Sequence, residues 1–452
     1  MESVRAAVEW LGFVPARRHA PLPVVDVSGI DTIERRIAFR PAQATPYDAR
    51  HLFTGALDEH GVRQLGFCDR DSFVECLAGW AKTVVVGRGR LGGIPVGLIA
   101  TENRTVEATT PADPADASSQ ERTVTQAGRV WFPDSAYKTA QAIRDFQAED
   151  LPLFIFANWR GFSGGLRDMF DEVLKYGAMI VDALVHFTQP VFVYIPPAAE
   201  LRGGAWVVID STINSDVMEM YAAEGARGGV LEAAGIVEIK YRTKDLLATM
   251  HRIDPQLVRL DAVRRADATA EPGDRLAQSA LDQVAFDVQQ REKLLLPIYT
   301  QIAAQFADLH DTPGRMAATG VIVREVEWES ARSVFYWRLR RRLAEFSTRK
   351  RVKAIFETSM SGQQASAVLK DWFADAGRDD WSDDREVETW LQQPGEIEPR
   401  LKQLRARVIE DKVKAMVRES PSEMCQAMMA SFALLGPTQR AALKNALSAA
   451  GE

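Results

Sequence analysis

Leu153-Phe154-Ile155-Phe156-Ala157-Asn158-Trp159-Arg160-Gly161-Phe162-Ser163-Gly164-Gly165 begins as an unbroken apolar run and ends in a glycine loop. The run Leu153–Phe156 is the mark of a strand buried on both faces. Downstream, Leu166, Met169, Phe170, Val173, Leu174, Gly177, Ile180, Val181 and Leu184 recur at helical spacing. Arg167, Asp168, Asp171 and Lys175 fall on the other face, with Asp171 and Lys175 placed to pair at i,i+4. Gln189-Pro190 stops that helix, and Val191–Ile195 is a second buried run. Strand, helix, strand make a βαβ unit with parallel strands and a right-handed crossover. A second glycine loop, Leu201-Arg202-Gly203-Gly204-Ala205-Trp206, follows the second strand. Both loops therefore leave the carboxyl ends of their strands, at the edge where open α/β sheets bind ligands.

Glycine matters here because it has no Cβ. The backbone comes close to a ligand and turns its N–H groups toward it. Gly164-Gly165 stands where the next helix opens, with free N–H groups and the positive end of the helix dipole. Donors converging on one point stabilise an oxyanion, and losing one costs about 3–4 kcal/mol of barrier. Ordinary tight turns are the competing reading. Two such loops at one sheet edge, beside Arg160, favour the binding site.

Asn158–Gly165, the Arg167-Asp168-Met169-Phe170 that follows, and Glu200–Trp206 resemble the carboxyltransferase domain of eukaryotic multidomain acetyl-CoA carboxylase. The resemblance runs from about Val8 through Leu343. It includes Trp10–Pro15, Gly92–Pro95, Pro111–Pro114, Tyr137–Ala140 and Ala307–Asp311. It implies an α/β fold, the crotonase-like (ClpP/crotonase) spiral of ββα units, in which the βαβ unit above is one turn. The expected layout is a connector over 1–66, the crotonase-like domain over 67–343 and a helical extension over 344–452.

The activity implied is carboxyl transfer from N-carboxybiotin to acetyl-CoA, giving malonyl-CoA for fatty acid biosynthesis, in the cytoplasm or a plastid. By position in the family, the Gly204-Ala205 backbone serves the oxyanion of the biotin urea carbonyl, and Arg160 binds the substrate carboxylate. Gly164, Gly165 and Gly203 complete the biotin-side wall. Biotin would arrive on a carrier domain outside this chain, and a coenzyme A thioester is the co-substrate. The family site forms between the first half of one chain and the second half of its dimer mate. That first half, which holds most of the coenzyme A site, lies outside this sequence. A homodimer is expected, and an isolated chain that is inactive without the upstream half.

The rest of the chain bounds the reading. The net charge of −7 over 452 residues argues against nucleic acid or an anionic membrane as main partner. Cys68, Cys76 and Cys425 share no metal-ligand spacing and suit a reducing compartment. Met1–Ala7 has no apolar signal core, and no run is long enough to span a bilayer. Gly87–Gly92 matches G-x-G-x-x-G, but Pro95 and β-rich residues follow where a dinucleotide fold needs a helix, so a hairpin is expected.

Phe67–Trp80 and Ser135–Phe146 read as helices, Trp206–Ile209 as a strand and Asp216–Ala223 as helix-like. Gly228-Gly229 reads as a turn or a helix cap. Leu294, Leu295, Ile298, Ile302 and Phe306 form a heptad-like stripe. Glu325–Lys353 interleaves arginines with aromatics beside acidic residues, which favours a solvated or interface-forming helix face over a nucleic-acid surface. The tail Val368–Glu452 is amphipathic helix. The six histidines are scattered, and no nucleophile–base pair can be assembled. Two other readings stay open: a non-catalytic interaction subunit that retains the fold, and a crotonase-type acyl-CoA enzyme.

Overall fold

The computed structural model describes residues 2–42, 45–271, 273–356, 360–432 and 434–450. The chain divides into two compact units, Met1–Leu339 and Arg340–Glu452. In the first, β1 (Val74–Cys76), β2 (Val84–Leu91) and β3 (Ile94–Thr101) form an antiparallel meander. β2 and β3 pair along their whole length, from Val84↔Thr101 to Leu91↔Ile94. Gly92 and Gly93 make the turn at φ 58° and 81°, a conformation that favours glycine. Their N–H groups donate to the Asp69 carboxylate at 2.8 and 2.7 Å. The Gly87–Gly92 pattern is thus a hairpin, as expected.

From β3 onward the sheet is parallel. The next elements are β4 (Val130–Trp131), α1 (Pro133–Ala148), β5 (Leu153–Phe156), β6 (Gly161–Phe162), α2 (Leu166–Phe170) and α3 (Val173–Val185). Then come β7 (Val191–Ile195), β8 (Glu200–Arg202), α4 (Gly203–Ile209), β9 (Met218–Ala222) and β10 (Arg227–Gly229). A helical layer follows: α5 (Ala233–Lys240), α6 (Thr243–Ile253), α7 (Pro255–Thr269) and α8 (Gln278–Asp308). β11 (Arg324–Glu325) and α9 (Ala331–Ile355) come after it. The main sheet has the order β11-β9-β7-β5-β3-β2-β1, and every neighbour pair from β3 to β11 is parallel.

The repeat is a long strand in that sheet, a short strand outside it, then a helix. β5-β6-α2, β7-β8-α4 and β9-β10-α5 are three such turns. The short strands pair in parallel with one another, β4 with β6 and β8 with β10. This is the crotonase-like spiral of ββα units. On one sheet face Phe335 of α9 meets Phe67, Phe154, Phe192, Tyr194 and Tyr221 at centroid distances of 5.1–6.1 Å. On the other, α1 lies so close that a Cβ on Gly97 would stand 2.6 Å from the Phe146 ring.

Several expectations are corrected. The helix after the first glycine loop is broken at Glu172, whose φ is 63°. Val173, Gly177, Ile180 and Leu184 keep the expected burial, but Leu166, Met169, Phe170 and Leu174 are exposed. The break also changes the ion pairs: Lys175 holds Glu172 and Arg167 holds Asp171. Phe67–Trp80 is not a helix. It contains β1 and left-handed turns at Asp71 and Leu77, and the buried Lys138 ammonium donates to the carbonyls of Leu77, Trp80, Ala81 and Val84. Trp206–Ile209 lies in α4, and Asp216–Ala223 contains β9. Short apolar runs fit either element, and the slot between β7 and β11 decides the second case.

The basic, aromatic segment of α9 is solvated only in part, at residues such as Lys350 and Arg351. Arg332 is wholly buried and donates to Asp69 and the Phe67 carbonyl, while Arg338 takes both oxygens of Glu219. The first 66 residues also enter the core, through Phe13, Ile37, Leu52 and Phe53.

In the second unit, α10 (Gly362–Asp375), α11 (Asp384–Leu391) and α12 (Pro394–Glu419) close on Leu369, Phe373, Val387, Trp390, Ile397 and Leu401. Ser361 and Asp383 cap the first two of these helices. No described helix is long and apolar enough to cross a membrane.

Candidate functional site

Asn158, Trp159 and Arg160 continue directly from β5, so a buried strand aims them at the sheet edge. Trp159 is wholly buried and stacks on Trp131 at 4.1 Å, and Trp131 in turn stacks on Phe162 at 5.1 Å. Backbone bonds from Arg160 N to Arg129 O and from Ser163 N to Trp131 O, both 2.8 Å, fasten the loop to the β4 segment. The second loop is tied to the first by Arg202 N donating to Trp159 O at 2.9 Å. The structure thus brings the two glycine loops together at one edge, as the sequence implies.

Gly203, Gly204 and Ala205 are the first residues of α4. First-turn N–H groups have no acceptor four residues back, so they point out of the helix start. A Cβ on Gly204 would meet only Phe162, at 3.5 Å. Gly203 adopts φ 49°, a left-handed turn that sets the direction of these donors. Gly164 faces open space, with no heavy atom within 4 Å of an ideal Cβ. Gly165 N–H, expected to be free, leans toward Ser163 Oγ at 3.4 Å. Ser163 Oγ itself bonds Asp168, so it has an acid partner and, among the described residues, no histidine.

Arg160 is half exposed, and only its Nε is bound, donating to Glu200 Oε1 at 2.8 Å with Glu232 at 3.5 Å. Among the described residues its two terminal amino groups have no protein partner. Glu200 is a hub that sequence reasoning gave no role. Its Oε1 also accepts from Arg129, and its Oε2 accepts from Arg202 Nε at 3.0 Å. Burial pushes the Glu200 carboxyl up, but the Arg202 hydrogen bond and the Arg129 and Arg160 charges outweigh it and hold it below the usual range. Asn158 Oδ1 accepts from both Arg129 Nε (3.0 Å) and Glu200 N (3.1 Å), fixing the hub to the first loop. Arg202 is buried and also bonds Asp311 and the Leu231 carbonyl. The only sequence signal for this cluster was Glu200 and Arg202 at i,i+2, on one face of a strand.

Gly228-Gly229 is neither turn nor cap but part of β10. Cβ atoms there would lie 2.5 Å from the Trp206 ring and 2.6 Å from Asp311. A shallow depression of about 530 Å³ lined by Trp80, Tyr137, Phe170 and Tyr176 holds none of the glycine-loop residues. No group of His, Cys, Asp or Glu among the described residues suits a metal ion. His310 Nδ1 faces the Phe306 carbonyl, and His251 sits between Asp261 and Glu292 in the helical layer. The loop edge therefore offers donors: outward backbone N–H groups and an anchored guanidinium with its amino edge open. Such an arrangement is chemically suited to acceptor-rich, negatively charged groups.

The carboxyl transferase domain family matches residues 1–343. The chain is 55% identical over 350 residues to acetyl-CoA carboxylase of Dictyostelium discoideum, covering 76% of this chain and 15% of that protein. It is 48% identical over 412 residues to acetyl-CoA carboxylase 1 of Arabidopsis thaliana, covering 90% of this chain and 18% of that protein. The Saccharomyces cerevisiae acetyl-CoA carboxylase is 47% identical over 422 residues, covering 93% of this chain and again 18% of that protein. The chain thus spans less than a fifth of these relatives. Among solved structures, a transcarboxylase 12S hexamer with methylmalonyl-coenzyme A bound is similar at TM-score 0.46 and 15% identity, covering 73% of this chain and 48% of that one.

Proposed function

This chain belongs to the carboxyl transferase domain family, and on that premise we propose that it supplies the biotin-side half of a site that carboxylates acetyl-CoA to malonyl-CoA. The observation that carries the proposal is the pairing of two sets of donors at the loop edge: the opening turn of α4 and, beside it, Arg160, whose amino edge is unoccupied by protein among the described residues. N-carboxybiotin, carried on a domain outside this chain, would bring the carboxyl group, and its carboxylate and urea oxygen are both acceptors that such donors fit.

In this reading the Gly204 and Ala205 N–H groups hold the urea oxygen as negative charge develops on it. Arg160 takes the carboxylate through its planar, permanently charged amino edge. Gly203 turns the helix start toward the ligand, and Gly164 with Gly165 forms the facing wall. Stacked Trp131, Trp159 and Phe162 hold these parts in register, so little reorganisation is needed when charge moves.

A companion half would contribute the coenzyme A thioester pocket. Supporting this, exposed apolar side chains follow both glycine loops: Leu166 at 90% and Phe170 at 82% on α2, Val207 on α4, and Val230 just after β10. The stripe Leu294, Ile298, Ile302 and Phe306 on α8 also faces outward.

The test is direct. The chain alone should form negligible malonyl-CoA from acetyl-CoA and carboxybiotin, and adding the companion half should restore it. In that assembly Arg160→Lys keeps the charge and loses the two-point grip, so kcat/KM should fall at least about tenfold, or 1.4 kcal/mol, with unchanged thermal stability. Arg160→Lys within twofold of wild type would remove Arg160 from the site.

A further inference from the structure

We infer that Glu200 is a positioning residue for carboxyl transfer, acting by fixing the pose of the Arg160 guanidinium. The inference rests on the functional reading above and adds a residue to it. An arginine at a loop tip has many rotamers, and holding one of them costs entropy at the moment of binding unless the protein has already done so. Glu200 removes that freedom at one atom. It takes the Nε edge of Arg160 at 2.8 Å and leaves both amino groups for a ligand.

Glu200 can impose a pose because it is itself held from several sides. It is largely buried and opens β8, the strand that runs directly into Gly203. Its backbone N–H is fixed by Asn158, and Arg129 shares the carboxylate oxygen that Arg160 uses. The other oxygen is taken by buried Arg202, which Asp311 anchors in turn. Arg160 is the exposed member of the cluster, at 51% against 21% and 6% for Arg129 and Arg202. The rigid part of the network is therefore behind Glu200, and the adjustable part is in front of it. The carboxylate also couples the two loops: it rises from the second and grips the side chain of the first. Among the described residues the one other acid beside Arg160 is Glu232, which is half exposed at 3.5 Å from Nε and sits too loosely to fix it.

A purely structural Glu200 would make a different prediction from a positioning one, and a double-mutant cycle in the assembled enzyme separates them. Arg160→Lys, Glu200→Gln, Glu200→Asp and the doubles with Arg160→Lys are assayed with carboxybiotin and acetyl-CoA, and each is melted. We expect Glu200→Gln to lower kcat/KM for carboxybiotin at least tenfold while the acetyl-CoA KM stays within twofold. The double with Arg160→Lys should fall no more than twofold below the worse single, because the second change removes an effect already lost. Glu200→Asp, which keeps the charge, should recover at least threefold over Glu200→Gln.

Folded Glu200→Gln with activity within twofold of wild type, while Arg160→Lys is impaired, overturns the inference and leaves the site reading standing. So does a double mutant whose losses multiply. If Glu200→Gln does not fold, Glu200→Asp carries the same cycle: a loss of at least threefold that does not multiply with Arg160→Lys supports the inference, and a multiplying one overturns it. Arg160→Lys at wild-type activity overturns the site reading itself, and the inference with it.

Discussion

Replacing Gly204 by alanine separates catalysis from stability. Gly204 lies in the first turn of α4 without a positive φ, and an added Cβ would meet Phe162 at 3.5 and 3.9 Å, which is ordinary contact. A helical Gly→Ala change of this kind gains about 0.5–1 kcal/mol through lower chain entropy in the unfolded state. The variant should therefore melt at or above the wild-type temperature. The same methyl also stands at the mouth of the α4 donors, where nothing else fills the space. Shifting a ligand by ~1 Å costs on the order of a hundredfold in rate, and losing a backbone donor costs roughly a hundred- to a thousandfold.

We expect kcat/KM for carboxybiotin in the assembled enzyme to drop ten- to a hundredfold. Gly203 is the inverse control: at φ 49° an alanine is strained, at about 1–2 kcal/mol, so Gly203→Ala should lower the melting temperature. Malonyl-CoA formation and a thermal melt, run on the same preparations, give both readouts. Gly204→Ala with activity within twofold of wild type would refute the reasoning, since no ligand could then approach this turn at contact distance.

Three further outcomes are expected. Lys138→Met removes the donor to the carbonyls of Leu77, Trp80, Ala81 and Val84, while relieving the burial that pushes the ammonium pKa down to about 8. The net loss should be about 2–4 kcal/mol in urea unfolding, and an unchanged midpoint would contradict it. Hydrogen bonds donated by the imidazolium to Glu292 and Asp261 raise the His251 pKa above 6.5, so the imidazolium contribution is complete below 6.5 and lost as pH rises through the folded value. Melting of the α6–α8 layer should thus fall above that pH, and His251→Gln should flatten this part of the profile. Leu166→Ser with Phe170→Ser, two exposed sites, should weaken association in sedimentation experiments without lowering the melting temperature of the chain. Equal association would exclude that face.

The parts of the fold legible in the sequence were those with long patterns or explicit breakers. Leu153–Phe156 and Val191–Ile195 are uniformly apolar, and only a doubly covered parallel strand tolerates that. Pro95 after the Gly87–Gly92 run ruled out a helix and left the hairpin. Short runs misled because their environment decides them. Over so few residues, periodicity does not distinguish Trp206–Ile209, which is helix, from Met218–Ala222, which is strand.

The site was half legible for a related reason. Glycine loops and Arg160 announce themselves in one dimension, because their chemistry lies in residue type. The Glu200 hub does not, since Arg129, Arg160 and Arg202 meet on one carboxylate only after successive turns of the spiral have been stacked. The break at Glu172 was equally hidden: nothing in the helical spacing of Leu166–Leu184 marks a left-handed residue there.

The late arrival of β11 has a consequence for how the chain is made. The outer edge of β9 is covered only when Arg324 and Glu325 pair with Tyr221 and Ala222, about a hundred residues further along the chain. At ~5–20 residues per second of synthesis, that edge stays bare for roughly 5–20 s while the α5–α8 layer emerges. A bare strand edge is a template for pairing with another chain. Substitutions that delay the α5–α8 layer should therefore reduce the yield of soluble protein more than they reduce the melting temperature of the molecules that do fold.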